Sequence, residues 1–256
     1  GCDDRGMTDK TRRHIPLAPT CAQPHACPLP VRLHVLSRAP LFHGLNEEEL
    51  RGIDARMVSL AWAEGDPLYG EGDPAEHLYV LASGRAKATR TQRDGQVTIV
   101  DLLGPGDLFG GLEVLGQPVQ AETVTALTTV CALRVGTAAF REILVAHPRV
   151  ALHALDATAA QLARARAHVS EASAPVAQRV AATLLRLTAK FGQERRSGTL
   201  IQVPLSRADL AGMVSSTPES VSRVISQWRR DGLVEAGRRW ISVVDSAALE
   251  AIAAGD

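Results

Sequence analysis

Residues 58–135 alternate short β-rich runs with glycine-containing turns, and no other feature of this 256-residue chain limits its fold as strongly. The β-rich runs include residues 78–81, 97–100 and 130–135. The turns between such runs contain Gly65-Asp66, Gly72-Asp73, Gly84, Asp94-Gly95 and Gly104-Pro105-Gly106-Asp107. Short strands separated by tight turns at regular spacing predict a compact antiparallel β-roll or barrel.

The composition is that of a soluble globular protein. The chain is 45% hydrophobic and 22% charged, which excludes disorder of the whole chain, and it is long enough for two domains. No stretch approaches the roughly 18 uninterrupted apolar residues that a membrane span needs, and no apolar signal-peptide core follows Arg12-Arg13. We therefore expect a cytoplasmic protein that does not bind membranes.

The formal net charge is zero, but the charges are not evenly distributed. Residues 175–256 carry 11 of the 28 basic and 8 of the 28 acidic side chains, so this segment is basic and the rest of the chain is acidic. This asymmetry favours a C-terminal segment that contacts phosphate groups.

Residues 137–169 are rich in Ala and Leu and predict one long helix. Leu155, Leu162 and Val169 recur at a spacing of seven residues, beside a second row formed by Leu152, Ala159 and Arg166. A narrow apolar seam of this kind is typical of a helix that pairs with another helix. The alternative is a helix whose seam packs on its own β-roll.

The last third of the chain has the pattern of a winged helix-turn-helix. Its predicted elements are, in order, a helix over 176–191, a strand over 200–203, helices over 207–214 and 218–230, and strands over 233–234 and 240–244. Ser206 caps the first of the two short helices, and Pro218 occupies the first position of the second. Two short helices joined by a three-residue turn and followed by a hairpin form a DNA-binding unit in many proteins.

The second short helix has one apolar and one polar face. Val221, Val224, Ile225 and Trp228 share the apolar face. The candidate base-contacting residues on the polar face are Glu219, Ser220, Ser222, Arg223 and Gln227, with Thr217 just before the helix. Arg229, Arg230, Arg238 and Arg239 are placed to reach phosphates from the helix end and the wing tip. The alternative is a solvated helix face, but the helix-turn-helix pattern favours double-stranded DNA as the partner.

The order of β-roll, long helix and winged helix resembles that of bacterial transcription regulators of the CRP/FNR family, over roughly residues 35–250. Within the family, Glu219-x-x-Ser222-Arg223 is similar to the recognition motif of the FNR branch. The resemblance implies half-sites closer to TTGAT than to the TGTGA of the CRP branch. It also implies a homodimer formed by the long helix, an inverted-repeat DNA site and RNA polymerase as a further partner.

The predicted fold is therefore α+β, with an N-terminal cyclic-nucleotide-binding-like β-roll, a long dimerisation helix and a C-terminal winged helix-turn-helix. The predicted segments are a Cys-containing leader over 1–34, a β-roll sensor domain over 35–148, the dimerisation helix over 149–171 and the DNA-binding domain over 175–256. The leader is expected to be disordered, because residues 1–30 show neither helical nor strand periodicity. Asn46 and the acidic residues after it predict a short helix that follows the leader.

Cyclic AMP is not the expected effector. By resemblance, relatives that bind it grip the cyclic phosphate with an Arg-Ser pair. The corresponding segment here, residues 120–126, contains no such pair and carries the acidic Glu122, which would repel a phosphate.

The cysteines resemble those of FNR-type oxygen sensors, which hold a four-iron, four-sulfur cluster by Cys-x2-Cys-x5-Cys and one later cysteine. Cys21 and Cys27 reproduce the x5 step, and Cys131 lies on a late β-roll strand, but Ala18 stands where the first cysteine is expected. The resemblance implies an iron-sulfur cluster on Cys21, Cys27 and Cys131. The fourth ligand is open between Cys2, His25, an Asp and solvent, since ligands other than cysteine alter such clusters without preventing their binding.

Four other sensing mechanisms stay open: a thiol-disulfide sensor, zinc on the same cysteines with His25, a haem as in some relatives, and a small molecule in the β-roll. His77 precedes a strand and is not expected to be a haem ligand. An enzyme is not expected. The segment 104–110 lacks the ending of a phosphate-binding loop, and the chain has no Ser-His-Asp or metal-hydrolase spacing.

Overall fold

The computed structural model describes residues 27–93, 95–111, 116, 118–171 and 174–255. The elements of the first half are α1 (Leu29–Arg38), a 3-10 helix (Pro40–Phe42), α2 (Glu47–Asp54), β1 (Val58–Trp62), β2 (Pro67–Tyr69), β3 (His77–Ser83), β4 (Ala86–Thr91), β5 (Val97–Leu103), β6 (Leu108–Phe109), β7 (Thr123–Ala126) and β8 (Val130–Gly136). Those of the second half are α3 (Thr137–Ala146), α4 (Pro148–Glu171), α5 (Val176–Phe191), β9 (Gly192–Arg195), β10 (Gly198–Ile201), α6 (Arg207–Met213), α7 (Pro218–Arg230), β11 (Val234–Gly237), β12 (Trp240–Val243) and α8 (Ser246–Ala254).

Two four-stranded antiparallel sheets build the β-roll, with strand orders β1-β8-β3-β6 and β2-β7-β4-β5. Tyr69, Tyr79 and Phe109 come from strands of both sheets and stack in the shared core, with ring centroids 5.2–6.2 Å apart. Gly84 joins β3 to β4 at a φ of +89°, and a Cβ atom there would overlap the carbonyl oxygen of Thr129. The predicted β-roll is confirmed, and this turn requires glycine.

The chain before the β-roll is helical from Leu29 onward, although the sequence predicted a leader over residues 1–34. Val35 and Leu36 of α1 are buried in the core beneath β3 and β8. Pro28 precedes the first turn, where a missing N–H is tolerated, so the prolines here begin a helix. The predicted helix after Asn46 is confirmed as α2, with a capping box between Asn46 and Glu49.

The single helix predicted over 137–169 is two helices, which corrects that prediction. Alpha3 ends at Ala146 and α4 begins at Pro148. Pro148 has no N–H to donate, and its ring disfavours helical conformation at the residue before it. His147 accordingly has φ −128° and ψ 81°, outside the helical region.

The C-terminal domain is the predicted winged helix-turn-helix. Ser206 and Asp209 form a capping box at the start of α6, and the Thr217 side chain caps α7. The wing sheet has four strands in the order β11-β12-β10-β9. Strand β9 and helix α8 were not predicted; β9 is exposed throughout, so it lacks the apolar alternation that identifies a strand.

The C-terminal domain packs directly on the β-roll. Ile99 and Leu102 of β5 lie in one core with Leu184 and Leu187 of α5. Lys87 of β4 donates to Asp209 of α6 at 2.7 Å. In the part of the chain described here, no helix is long and apolar enough to cross a membrane.

Candidate nucleic-acid interface and sensing site

The N-terminal half of α7 presents the predicted base-contacting residues. Val221, Ile225 and Trp228 are buried on its opposite face and fix its rotation. Glu219 and Arg223 are exposed, whereas Ser220 and Ser222 are half-buried. Thr217 Oγ1 accepts the Ser220 N–H at 3.2 Å, so this hydroxyl serves as the helix cap. Within the described residues, Arg223 forms no hydrogen bond or ion pair, so its guanidinium is available to a ligand.

Gln227, also predicted to contact bases, is engaged along the helix. Its amide N–H groups donate to both carboxylate oxygens of Asp231 at 2.8 and 3.0 Å. Its carbonyl oxygen accepts from Arg230 at 2.5 Å. Gln227 could contact a base only after losing its hydrogen bonds with Arg230 and Asp231. Arg223 is therefore better placed than Gln227 to contact a base.

The wing tip carries Arg238 and Arg239 between β11 and β12. Arg238 is exposed, whereas Arg239, at a φ of +61°, donates through Nη1 and Nη2 to Oε1 of Glu64 at 3.0 Å each. The Arg239 guanidinium therefore contacts the turn between β1 and β2, while its contact with phosphate stays a prediction. The partner Glu64 was missed, because a separation of 175 residues leaves no local signal.

A basic cleft lies between the wing tip and the start of α6, and it includes a residue that the sequence analysis missed. The cleft has a volume of about 340 Å³ and is lined by Leu205, Ser206, Arg207 and the wing residues 237–239. Burial lowers the pKa of Arg207, and the charge of Arg229 lowers it further. Neighbouring guanidinium groups are stabilised by an anion between them. The sequence signal that could have identified Arg207 is its position: it directly follows the helix cap Ser206 and lies on the helix that precedes the predicted recognition helix.

One side of α4 exposes large apolar side chains. Leu152 and Leu155 are 63% and 66% exposed in the single chain, and Ala154 between them is buried in the core shared with β3 and β8. The alternative packing of this seam on the chain's own β-roll is therefore wrong for these two leucines.

In the described part of the segment that the resemblance aligns with a cyclic-nucleotide site, Gln120 and Glu122 are engaged with other residues of the chain. Gln120 is buried, and its Oε1 accepts the Gly111 N–H at 2.7 Å. Burial raises the pKa of the Glu122 carboxyl, and the nearby charge of Arg90, 4.0 Å away, lowers it in part. An incoming phosphate would lose one N–H donor to Gln120 and would meet a carboxyl group.

Cys27 and Cys131 meet beneath strand β1. Their Cα atoms lie 6.6 Å apart and the two sulfurs are bonded as a disulfide. Both residues are buried, Cys131 to 2% exposure. The Ser59 hydroxyl accepts the Cys27 N–H at 3.2 Å and lies 3.4 Å from the Cys131 sulfur. Two of the predicted ligands are thus brought together.

Cys2, Cys21 and His25 lie outside the described residues. Among the residues that are described, no group of three or more His, Cys, Asp or Glu side chains is arranged to hold a metal ion. The described part of the chain therefore offers two cysteines toward a four-ligand cluster, and their sulfurs could bind iron only after reduction of the disulfide.

Comparison with known proteins covers both domains. Residues 60–147 match the family model described as "Cyclic nucleotide-binding domain", and residues 178–252 match "Crp-like helix-turn-helix domain". The "Cyclic AMP receptor protein" of Thermus thermophilus is 32% identical over 226 residues, which cover 85% of this chain and 98% of that protein. The "Transcriptional activator protein FnrL" of Cereibacter sphaeroides is 27% identical over 232 residues, or 86% and 92% of the two chains.

Among solved structures, FixK2 from Bradyrhizobium japonicum superposes with a TM-score of 0.68 at 24% identity. The match covers 76% of this chain and 96% of that one. At this identity the likeness supports the shared fold and nothing more specific.

Proposed function

The chain belongs to the CRP/FNR family of transcription regulators, and on that premise we propose that it binds an inverted-repeat DNA site as a homodimer through α7 and the wing. The observation that carries the proposal is the exposed guanidinium of Arg223, which has no partner among the residues that the structure describes, at the N-terminal half of a helix fixed by its buried face. A recognition helix reads bases from this end. The members of the family are regulators and not enzymes, as the sequence predicted.

Within this site, Arg223 would contact both acceptors of a guanine, while Glu219 would accept from a cytosine and Ser222 would contact a base or a thymine methyl. Arg207, Arg229 and Arg239 would contact phosphates, which position the protein without reading sequence. The pattern Glu219-x-x-Ser222-Arg223 supports half-sites of the TTGAT type, and membership of the family supports RNA polymerase as the partner of the bound dimer.

The test is a binding titration with three labelled duplexes at one salt concentration: an inverted repeat of TTGAT, an inverted repeat of TGTGA and a scrambled sequence. We expect the first to bind at least tenfold more tightly than the others, since each mismatched base pair costs about 1–3 kcal/mol. Equal affinity for all three would contradict sequence-specific recognition by α7.

We expect Arg239→Ala to weaken binding to all three duplexes by a similar factor. The loss of one phosphate contact lowers the slope of log Kd against the logarithm of the salt concentration by about 0.9 for each wing. The measurement is a salt series for wild type and variant, with Arg141→Ala on α3 as the control that removes the same charge from an exposed position away from the wing. A loss confined to the TTGAT duplex would assign Arg239 a base contact instead.

For sensing, we propose that Cys27 and Cys131, once a two-electron reductant has converted their disulfide to thiolates, hold an iron-sulfur cluster together with Cys21 and Cys2. Such a cluster supplies electron transfer and reacts with oxygen or nitric oxide. The two described cysteines support the proposal because they come from separate segments, the residues just before α1 and strand β8, and yet lie side by side. Ser59 would orient them through its hydrogen bond with the Cys27 N–H and its contact with the Cys131 sulfur.

The cluster is tested on protein purified without oxygen, by its visible spectrum and its iron and sulfide content before and after exposure to air. We expect a broad absorption that bleaches in air, and its loss together with the iron in Cys131→Ser. Ser37→Ala, at an exposed position of α1, keeps all four cysteines and is the control, for which iron is retained. A colourless, iron-free wild type would contradict the cluster.

The disulfide between Cys27 and Cys131 favours a second candidate, a thiol-disulfide sensor. Here two thiols lose two protons and two electrons to an oxidant such as a peroxide or another disulfide. Counting free thiols in reduced and oxidised protein, with mass spectrometry of the linked peptides, distinguishes this candidate. The thiol sensor is supported over the cluster if the protein contains no iron and two results are found together. The oxidised protein yields a linked Cys27–Cys131 peptide pair, and reduction adds two free thiols.

We expect cyclic AMP to leave the melting temperature unchanged, because Gln120 occupies the Gly111 N–H and the acidic Glu122 lies in the segment that the resemblance assigns to phosphate binding. A ligand that binds only the folded chain at 100 times its Kd would stabilise it by about 2.7 kcal/mol. Thermal unfolding with and without millimolar cyclic AMP measures this. A saturable rise in melting temperature would contradict the prediction, and no response leaves a different β-roll ligand as the remaining small-molecule candidate.

A further inference from the structure

The wing of the DNA-binding domain is held by the sensor domain through one carboxylate. Glu64 lies in the turn after β1, and Asp66 orders this turn by accepting the Ala63 N–H at 3.0 Å. Both terminal nitrogens of Arg239 donate to the same Glu64 oxygen. The contact therefore joins an ordered turn to the tip of a hairpin, and neither partner lies on a long loop that would have to be ordered first.

Other contacts place Glu64 and Arg239 opposite each other. Lys87 pairs with Asp209 at 2.7 Å, and Lys190 of α5 pairs with Asp107 at 2.9 Å. The Arg85 guanidinium, between β3 and β4, lies 5.2 Å from the ring centre of Phe191 at the end of α5. These contacts fix the docked position of the DNA-binding domain, so the wing contact belongs to a defined arrangement of the two domains.

We propose that Glu64 competes with DNA phosphate for Arg239, so that the sensor domain restrains the wing until DNA or a change in the sensor domain displaces it. The proposal rests on the DNA-binding role proposed above. An arginine fork recognises carboxylate and phosphate oxygens with the same donors. Because both terminal nitrogens are directed at Glu64, Arg239 cannot serve a phosphate in the same conformation.

The expected effect of Glu64 on DNA affinity is small, because the side chains of Glu64 and Arg239 are both partly accessible to solvent. Exposed ion pairs contribute little to stability. We therefore expect Glu64→Gln, which keeps the side-chain shape and removes the charge, to tighten binding to both the TTGAT duplex and the scrambled duplex by about two- to fivefold.

A double-mutant cycle separates this competition from a general charge effect. In an Arg239→Gln background, Glu64→Gln should bring no further gain, because the arginine that Glu64 restrains is already gone. Glu48→Gln, on the exposed first turn of α2, removes the same charge elsewhere on the sensor domain and should change affinity by less than twofold. A gain of equal size in the Arg239→Gln background would overturn the competition and assign the effect to net charge.

Hydrogen exchange without DNA tests the restraint by itself. Amide exchange over the wing residues 234–243 should rise in Glu64→Gln and stay at the wild-type level in Glu48→Gln. Unchanged exchange in the wing, or a Glu64→Gln variant that binds no tighter than wild type, would overturn the proposal. A wild type that binds neither duplex would instead contradict the DNA-binding function, so the two failures are distinguishable.

Discussion

Arg223→Ala is expected to reduce binding to the inverted-repeat duplex to the level of a scrambled duplex. A good bidentate contact with guanine discriminates by about 1–3 kcal/mol, and a dimer makes this contact in both half-sites. The loss of about 2–6 kcal/mol is comparable to the usual gap between specific and non-specific binding, about 4–10 kcal/mol. Because Arg223 is exposed and no buried packing depends on it, the variant should fold as the wild type does.

The measurement is a pair of titrations, one with each duplex, at matched salt. Arg141→Ala, which removes an exposed arginine from α3, is the control for the loss of one positive charge. Binding of Arg223→Ala to the inverted repeat with wild-type affinity would contradict the assignment of α7 as the recognition helix. A uniform loss on both duplexes would place Arg223 on phosphate and not on a base.

The double variant Leu152→Glu, Leu155→Glu is expected to be a monomer that no longer binds the full inverted repeat tightly. Both leucines are largely exposed in the single chain and lie on one side of α4. A paired helix would bury them, and four charges in the apolar interface of a dimer would be unpaired and desolvated. Loss of the dimer also removes the advantage of binding two half-sites at once, which can reach 10²–10⁴ in affinity.

Sedimentation velocity gives the oligomeric state, and the DNA titration gives the functional loss. Val145→Glu on α3, where Val145 is 77% exposed, introduces the same kind of charge off the α4 row and should leave the dimer intact. Retention of the dimer in the double variant would show that another surface joins the two chains. A monomer with unchanged affinity for the inverted repeat would contradict dimeric binding.

The local signals of the winged helix were sufficient to predict it. Caps at Ser206 and Thr217 and a proline at the first helical position define where α6 and α7 begin, and these depend only on neighbouring residues. The prediction of one helix over 137–169 was wrong because Ala and Leu favour helix on both sides of Pro148, and their propensity concealed the boundary. The start of α1 was missed because its stability comes from burial of Val35 and Leu36, a tertiary effect.

The same distinction between local sequence signals and tertiary packing applies to the residues of the candidate site. The polar face of α7 follows from helical spacing, and so does the contact of Gln227 with Asp231, four residues apart, although it was not anticipated. The contact of Arg239 with Glu64 and the meeting of Cys27 with Cys131, 104 residues apart, depend on how the domains and strands pack. Only the resemblance to oxygen sensors connected the two cysteines; nothing in the sequence connected Glu64 to the wing.

Strand β1 connects the two sites physically. Ser59, near its start, touches Cys131, and Ala61 pairs with Cys131 in the sheet, while Glu64 follows two residues after its last residue, Trp62. If the oxidation state of Cys27 and Cys131 changes the strength of the contact between Glu64 and Arg239, then a change in that contact must also change the redox equilibrium of the two sulfurs. Coupling between two binding equilibria is reciprocal. DNA would then act as an effector of the sulfur chemistry, and a tenfold difference in DNA affinity between the oxidised and reduced protein would appear as a shift of about 30 mV in the midpoint potential of a two-electron pair.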